Sequence, residues 1–245
     1  MGQGPNALTR DEEATIWPRG TLRCRNFCQA NRIKMKTLSE RKKEIRLLME
    51  YAVPEEHLPA ATRLLGQYEA DPLALNLLLS FYSFLPAACD DGVAELRLLA
   101  RKNGVFLIGA TTFLTDYLYL VDYERAELLG PLAEGISAEE LLEFFDFPDR
   151  RAFLDKHQKL TDHKIYLPAS NDPELCHFCY TASGEYHVLG CPVEVCPWCG
   201  GQLTRCNCRF TILNSAQIDQ ESQIEFLEDK INEAGRIPFE TSQNP

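Results

Sequence analysis

Apolar residues recur at helical spacing over most of residues 38–102. They shift to short runs and alternation between 105 and 129, then return to helical spacing near 137–159 and 219–234. Thr37-Leu38-Ser39-Glu40 has the form of a capping box and predicts a helix from about 38 to 51, ending before Pro54. Residues 55–69 form a second candidate. Asp71-Pro72 caps and starts a third, whose apolar run Leu73–Leu85 predicts a buried helix ending at Pro86. Residues 91–102 read as a further helix stopped by Asn103-Gly104.

The pattern then changes. Val105–Ile108 reads as a short apolar strand, and Tyr117–Val121 alternates with β-favouring residues. Asp122–Arg125 can turn that strand back onto Ala126–Leu129. Ser137-Ala138-Glu139-Glu140 is a second capping box opening a helix to about Phe145, and a further helix is expected over 149–159. Residues 161–173 lose periodicity and read as a linker. Ile224, Leu227 and Ile231 give one face to a helix over about 219–234, closed by Gly235. No internal repeat is visible. The expected fold is α+β. A mainly helical body with short strands spans 37–160, a small β-rich unit 174–212, and a C-terminal helix and tail 213–245.

Composition adds a charge asymmetry. The chain of 245 residues carries a net charge of −11, yet residues 19–46 hold ten Lys/Arg against Glu40 and Glu44. Residues 1–36 show no periodicity and read as a basic, unstructured arm, which can grip an acidic partner or nucleic acid. Neither a signal peptide nor a membrane span is expected. The apolar runs 72–88 and 105–121 are short and broken by Asn76, Pro86 and Asp116. A reducing cytoplasm is the expected location, where clustered cysteines hold metals rather than disulfides.

Seven of the ten cysteines lie between residues 176 and 208. Four of them form two C-x-x-C pairs, Cys176/Cys179 and Cys196/Cys199, at a spacing suited to one tetrahedral zinc. Glycines after the second pair, Gly200-Gly201, let backbone N–H groups approach sulfur. The expected metal ligands are therefore Cys176, Cys179, Cys196 and Cys199. His187, Cys191, Cys206 and Cys208 are candidates for a second ion, and an interleaved pairing would leave the first set unchanged. A sequential pairing would instead join Cys176, Cys179, His187 and Cys191 on one ion and Cys196, Cys199, Cys206 and Cys208 on another. Arg205 and Arg209 are expected to offset the negative thiolate centre, while His177, Cys24 and Cys28 are expected not to ligate.

The turns Cys176-His-Phe-Cys179 and Cys196-Pro-Trp-Cys199-Gly resemble the knuckles of zinc-ribbon and rubredoxin-like modules, over residues 174–212 only. The order of the pairs also has a loose similarity to cross-brace fingers of the RING type. The resemblance implies a structural metal, usually in a module that contacts protein or nucleic acid, and implies no catalysis.

No phosphate-binding loop, dinucleotide fingerprint, zinc-protease helix or nucleophile elbow is present in the sequence. Four cysteines predict a closed site without the open position that a catalytic zinc keeps. The favoured reading is a zinc-binding cytoplasmic protein, a non-enzymatic interaction or regulatory module whose partner is another protein. A rubredoxin-like iron or thiol redox protein is the alternative. Nucleic-acid binding through residues 19–46 is a further one, and an active site in 105–170 stays open.

Overall fold

A computed structural model describes residues 36–84 and 90–244. The expected arm, most of the basic stretch, Cys24 and Cys28 lie outside the described residues. Three helices open the described fold: α1 (Leu38–Ala52), α2 (Leu58–Gln67) and α3 (Pro72–Phe84). The expected capping box starts α1, with Thr37 accepting from the Glu40 N–H and Glu40 accepting from the Thr37 N–H. Pro72 opens α3 after Asp71, whose carboxylate accepts from the Ala74 N–H at 2.8 Å.

An antiparallel meander follows in the order β1 (Val93–Lys102), β2 (Val105–Thr112), β3 (Asp116–Val121) and β4 (Ala126–Pro131). One face of this sheet, with Phe106, Ile108, Ala110, Tyr119 and Val121, packs on α1 to α3. The other face, with Leu107, Leu118 and Leu120, packs on α4 (Glu139–Phe144) and α5 (Arg150–Lys156). Burial on both faces explains why β2 reads as a continuous apolar run. The α+β class stands, and no helix among the described residues is long and apolar enough to cross a membrane.

The helix expected over 91–102 is instead the strand β1. Its pairing with β2 slips twice, between Val93 and Glu95 and between Leu98 and Ala100. Each bulge inserts a residue and resets the alternation of side chains. Val93, Leu96 and Leu99 are therefore buried at intervals of three, which imitates a helical stripe. Asn103-Gly104 is not a helix stop but a two-residue hairpin turn, with φ of 50° and 76°. The second expected capping box is also unrealised. The N-cap of α4 is Ala138, without a side-chain hydrogen bond.

Residues 161–173, expected as a linker, lie against the body. Leu98 N–H donates to the Lys164 carbonyl at 3.1 Å, and Tyr166 N–H to the Leu96 carbonyl at 2.8 Å. Tyr166 is buried, and its hydroxyl donates to Asp71, which also accepts from the Ala169 N–H at 2.6 Å. Burial holds the Asp71 carboxyl above its usual range, while these donors partly oppose the shift. The segment entering the cysteine-rich unit is thus fixed to the N-terminus of α3.

At the end of α5, His157 is fully buried among Phe147, Phe153 and His163, with Nδ1 at 3.0 Å from His163 Nε2. Its own Nε2 has no hydrogen-bond partner among the described residues. Burial, then His163 and Lys156, pushes its pKa down to about 4. The unfolded chain therefore binds the proton first as pH falls below about 6.5, and folded stability drops from there toward pH 4. Between pH 7 and pH 5, His157→Phe is expected to lose less stability than the parent in denaturant unfolding. Equal losses would show that this ring does not carry the dependence.

Candidate metal centres

Each C-x-x-C pair is held by the same backbone arrangement. In the first, Cys176 N–H donates to the Thr181 carbonyl at 2.9 Å and Tyr180 N–H to the Cys176 carbonyl at 2.9 Å. In the second, Cys196 N–H donates to the Gly201 carbonyl at 2.7 Å and Gly200 N–H to the Cys196 carbonyl at 2.9 Å. Isolated bridges close both turns, Leu175 with Ala182 and Val195 with Gln202. Backbone N–H groups of Phe178 and Cys179 bond the Cys176 sulfur, as those of Trp198 and Cys199 bond the Cys196 sulfur. Every one of these positions is offset by 20 residues. The geometry is a repeat that the side chains conceal.

The residue after each second cysteine takes a left-handed backbone, with φ of 58° at Tyr180 and 71° at Gly200. Glycine adopts this freely, whereas a bulky L-residue is strained there by roughly 1–2 kcal/mol. The Tyr180 ring offsets that strain by packing into the main core beside Leu175 and Tyr166. The first knuckle is thereby joined to the body.

The donors separate in sequence order. Cys176, Cys179, His187 and Cys191 bring their ligand atoms within 4.8 Å of one another, and so do Cys196, Cys199, Cys206 and Cys208. The structure therefore does not bring Cys176 and Cys179 together with Cys196 and Cys199 as one set of four, and the interleaved pairing is absent. Tetrahedral bonds of ~2.3 Å put two sulfurs about 3.8 Å apart. The Cys176–Cys191 sulfur separation of 3.7 Å agrees, and Cys179 Sγ lies 3.4 Å from His187 Nδ1. The chain reverses at each bridge, so the nearest donors are those just downstream, and short loops cost the least entropy to close.

The two groups also sit in separate apolar clusters. Cys176, Cys179 and Cys191 pack with Val188 and Phe239. Cys196, Cys206 and Cys208 pack with Leu203, Ile218 and the stripe Ile224, Leu227 and Ile231 of α7 (Glu221–Glu233). Cys208 begins a short helix, α6 (Cys208–Leu213). All four donors of the first group are buried, whereas Cys199 is exposed and Cys206 and Cys208 are half-buried.

Electrostatics favour positive charge at the first group. Burial opposes the His187 imidazolium, but the Cys179 sulfur beside Nδ1 outweighs it and raises the pKa. Hydrogen bonds from Cys179 and Cys191 push Cys176 down to about 3. Arg209 lies by the second group, where its guanidinium donates to the carbonyls of Leu203 and Cys206 at 2.5 and 3.0 Å. His177 is exposed and outside both groups. Arg236, which sequence reasoning missed, bonds Glu194 at 2.8 Å, Glu228 at 3.0 Å and the His187 carbonyl at 2.6 Å. Nothing around Arg236 in the sequence marks that role, because Glu194 and His187 lie 42 and 49 residues away.

The first group abuts the β1–β2 turn. Asn103 N–H donates to Glu185 at 2.9 Å, and a Cβ placed on Gly104 would lie 2.6 Å from the Cys179 carbonyl oxygen. Gly184 has a similar backbone, φ 86°, but nothing within 4 Å. In denaturant unfolding, Gly184→Ala is expected to cost about 1 kcal/mol, the backbone term alone. Gly104→Ala should cost about 2 kcal/mol or more, because the carbonyl must also move. Equal costs would mean that the turn and the knuckle are not in contact.

Comparison of the chain with known protein families, curated proteins and solved structures gave no match.

Proposed function

We propose that the protein binds two zinc ions and acts as a non-enzymatic interaction or regulatory module. The observation that carries the reading is the division of eight donors into two groups of four, each with all ligand atoms within 4.8 Å. Four protein donors complete a tetrahedron and leave no position for water or substrate, which is the pattern of structural sites. A Cys₃His set suits zinc, and the imidazole at the first centre weighs against a four-thiolate iron there. The cysteine-rich unit has little apolar content of its own, so each ion would contribute directly to its folding.

A protein partner suits the exposed aromatics of the first knuckle, where Phe178 is 41% and Tyr186 46% exposed. The second centre carries an alternative. Exposed Cys199 makes it open to iron–thiolate or thiol-exchange chemistry, which visible absorption would reveal.

Elemental analysis of protein purified without added metal, beside its visible spectrum, tests the reading. Two colourless zinc ions per chain are expected. Iron with visible absorption would turn the second centre toward electron transfer, and folded, reduced protein without metal would overturn the proposal. Against a chromophoric chelator, zinc should leave in two phases, the faster from the exposed centre. Cys199→Ser should remove or accelerate the fast phase and Cys179→Ser the slow one. The reverse assignment would contradict the burial argument.

A further inference from the structure

Residues 236–244 take no part in either donor group, yet they enclose the first one. Phe239 is fully buried, and its backbone forms a pair of bonds to the loop before His187. Gly184 N–H donates to the Phe239 carbonyl at 2.8 Å, and Phe239 N–H donates to the Glu185 carbonyl at 2.8 Å. The Phe239 ring meets the His187 ring edge-on, with centroids 5.1 Å apart. Asn244 spans the first knuckle, accepting from the His177 N–H at 3.1 Å and donating to the Leu175 carbonyl at 2.9 Å. Arg236 holds the His187 carbonyl. His187 is thus held by backbone, ring face and ring edge.

The ring edge matters most for a metal. Nδ1 faces Cys179 Sγ at 3.4 Å, so Nδ1 is the donor nitrogen and must be without its proton when an ion is bound. The proton then sits on Nε2, which needs an acceptor. Nε2 lies 3.1 Å from Gln243 Oε1. An amide presents either oxygen or NH₂, and the choice must come from its other neighbours. Here the Glu240 N–H, which can only donate, points at the same atom at 3.3 Å, which identifies it as the oxygen. A 3₁₀ turn at Thr241–Gln243 keeps the amide in place.

We propose that Gln243 is a positioning residue for the first metal centre, fixing His187 as the Nε2–H tautomer with Nδ1 toward the ion, and that residues 239–244 close over that centre as a strap. The inference rests on the two-centre reading above. Outer partners that orient a ligating imidazole typically carry ten- to hundred-fold in metal affinity. The second centre, among the described residues, packs its donors against α6 and α7 instead. It serves as an internal reference.

The test uses the full chain with Gln243→Leu, which keeps the bulk without an acceptor, and Gln243→Glu, which restores an acceptor. Gln243 is half-exposed, so neither change opens the core. Zinc affinity is measured at each centre by chelator competition, and imidazole ¹⁵N spectra report which nitrogen of His187 carries the proton. Gln243→Leu should weaken zinc binding ten-fold or more at the first centre, leave the second unchanged and lose the single-tautomer signature. Gln243→Glu should stay close to the parent in both readouts. Unchanged affinity in Gln243→Leu, or a parent spectrum with the proton on Nδ1, would overturn the proposal while leaving two zinc ions in place. Equal weakening of both centres would reduce Gln243 to a general stability role and also overturn it. A parent chain that takes up no metal would instead overturn the two-centre reading itself.

Discussion

Asp71 is buried, yet its carboxylate accepts from the Ala74 and Ala169 N–H groups and from the Tyr166 hydroxyl. A buried carboxylate is tolerable only while such donors surround it. Those donors come from the start of α3 and from the segment that leads to the first knuckle. The same segment pairs with β1 through Lys164 and Tyr166. One carboxylate thus fixes the helical layer, the edge of the sheet and the entry to the cysteine-rich unit relative to one another. Tyr68, the residue after α2, donates its hydroxyl to the Tyr166 carbonyl at 2.6 Å and closes the arrangement.

The parts legible in the sequence are those whose causes are local. The Thr37 and Asp71 caps, the buried α3 and the apolar stripe of α7 follow from residues within a turn or two of one another. β1 was not legible, because two bulges give a strand the burial period of a helix. Asn103-Gly104 suits both a helix stop and a hairpin turn, and only the pairing of Lys102 with Val105 decides between them. The cysteines were legible as donors but not as partners. Spacing alone allowed an interleaved or a sequential pairing, and the choice lies in how the chain folds back at Leu175–Ala182 and Val195–Gln202. His187, in a strand-like run of sequence, gave no local sign that its Nδ1 faces a sulfur.

The 20-residue repeat shows how much backbone geometry can persist under dissimilar side chains. Tyr180 and Gly200 occupy the same left-handed position, one paying for its strain by packing into the body and the other having none to offset. Downstream of the knuckles the repeat breaks. The first unit supplies its remaining donors, His187 and Cys191, four residues apart, the second from a tight Cys206-x-Cys208 at the start of a helix. That divergence leaves one group buried and the other partly open to water. Two units of common geometry are thereby given unlike exposure to solutes.

The approach of Gly104 to the Cys179 carbonyl has a consequence for how the chain can vary. The turn Asn103-Gly104 answers to two demands: the sheet requires positive φ at both residues, and the knuckle leaves no room for a side chain at the second. A lengthened or re-typed hairpin would satisfy the first demand by other means but would collide with the knuckle. Any accepted change at the tip would therefore need a matching shift around Cys179. Hairpin tip and first knuckle, though more than 70 residues apart along the chain, are bound to drift together or not at all.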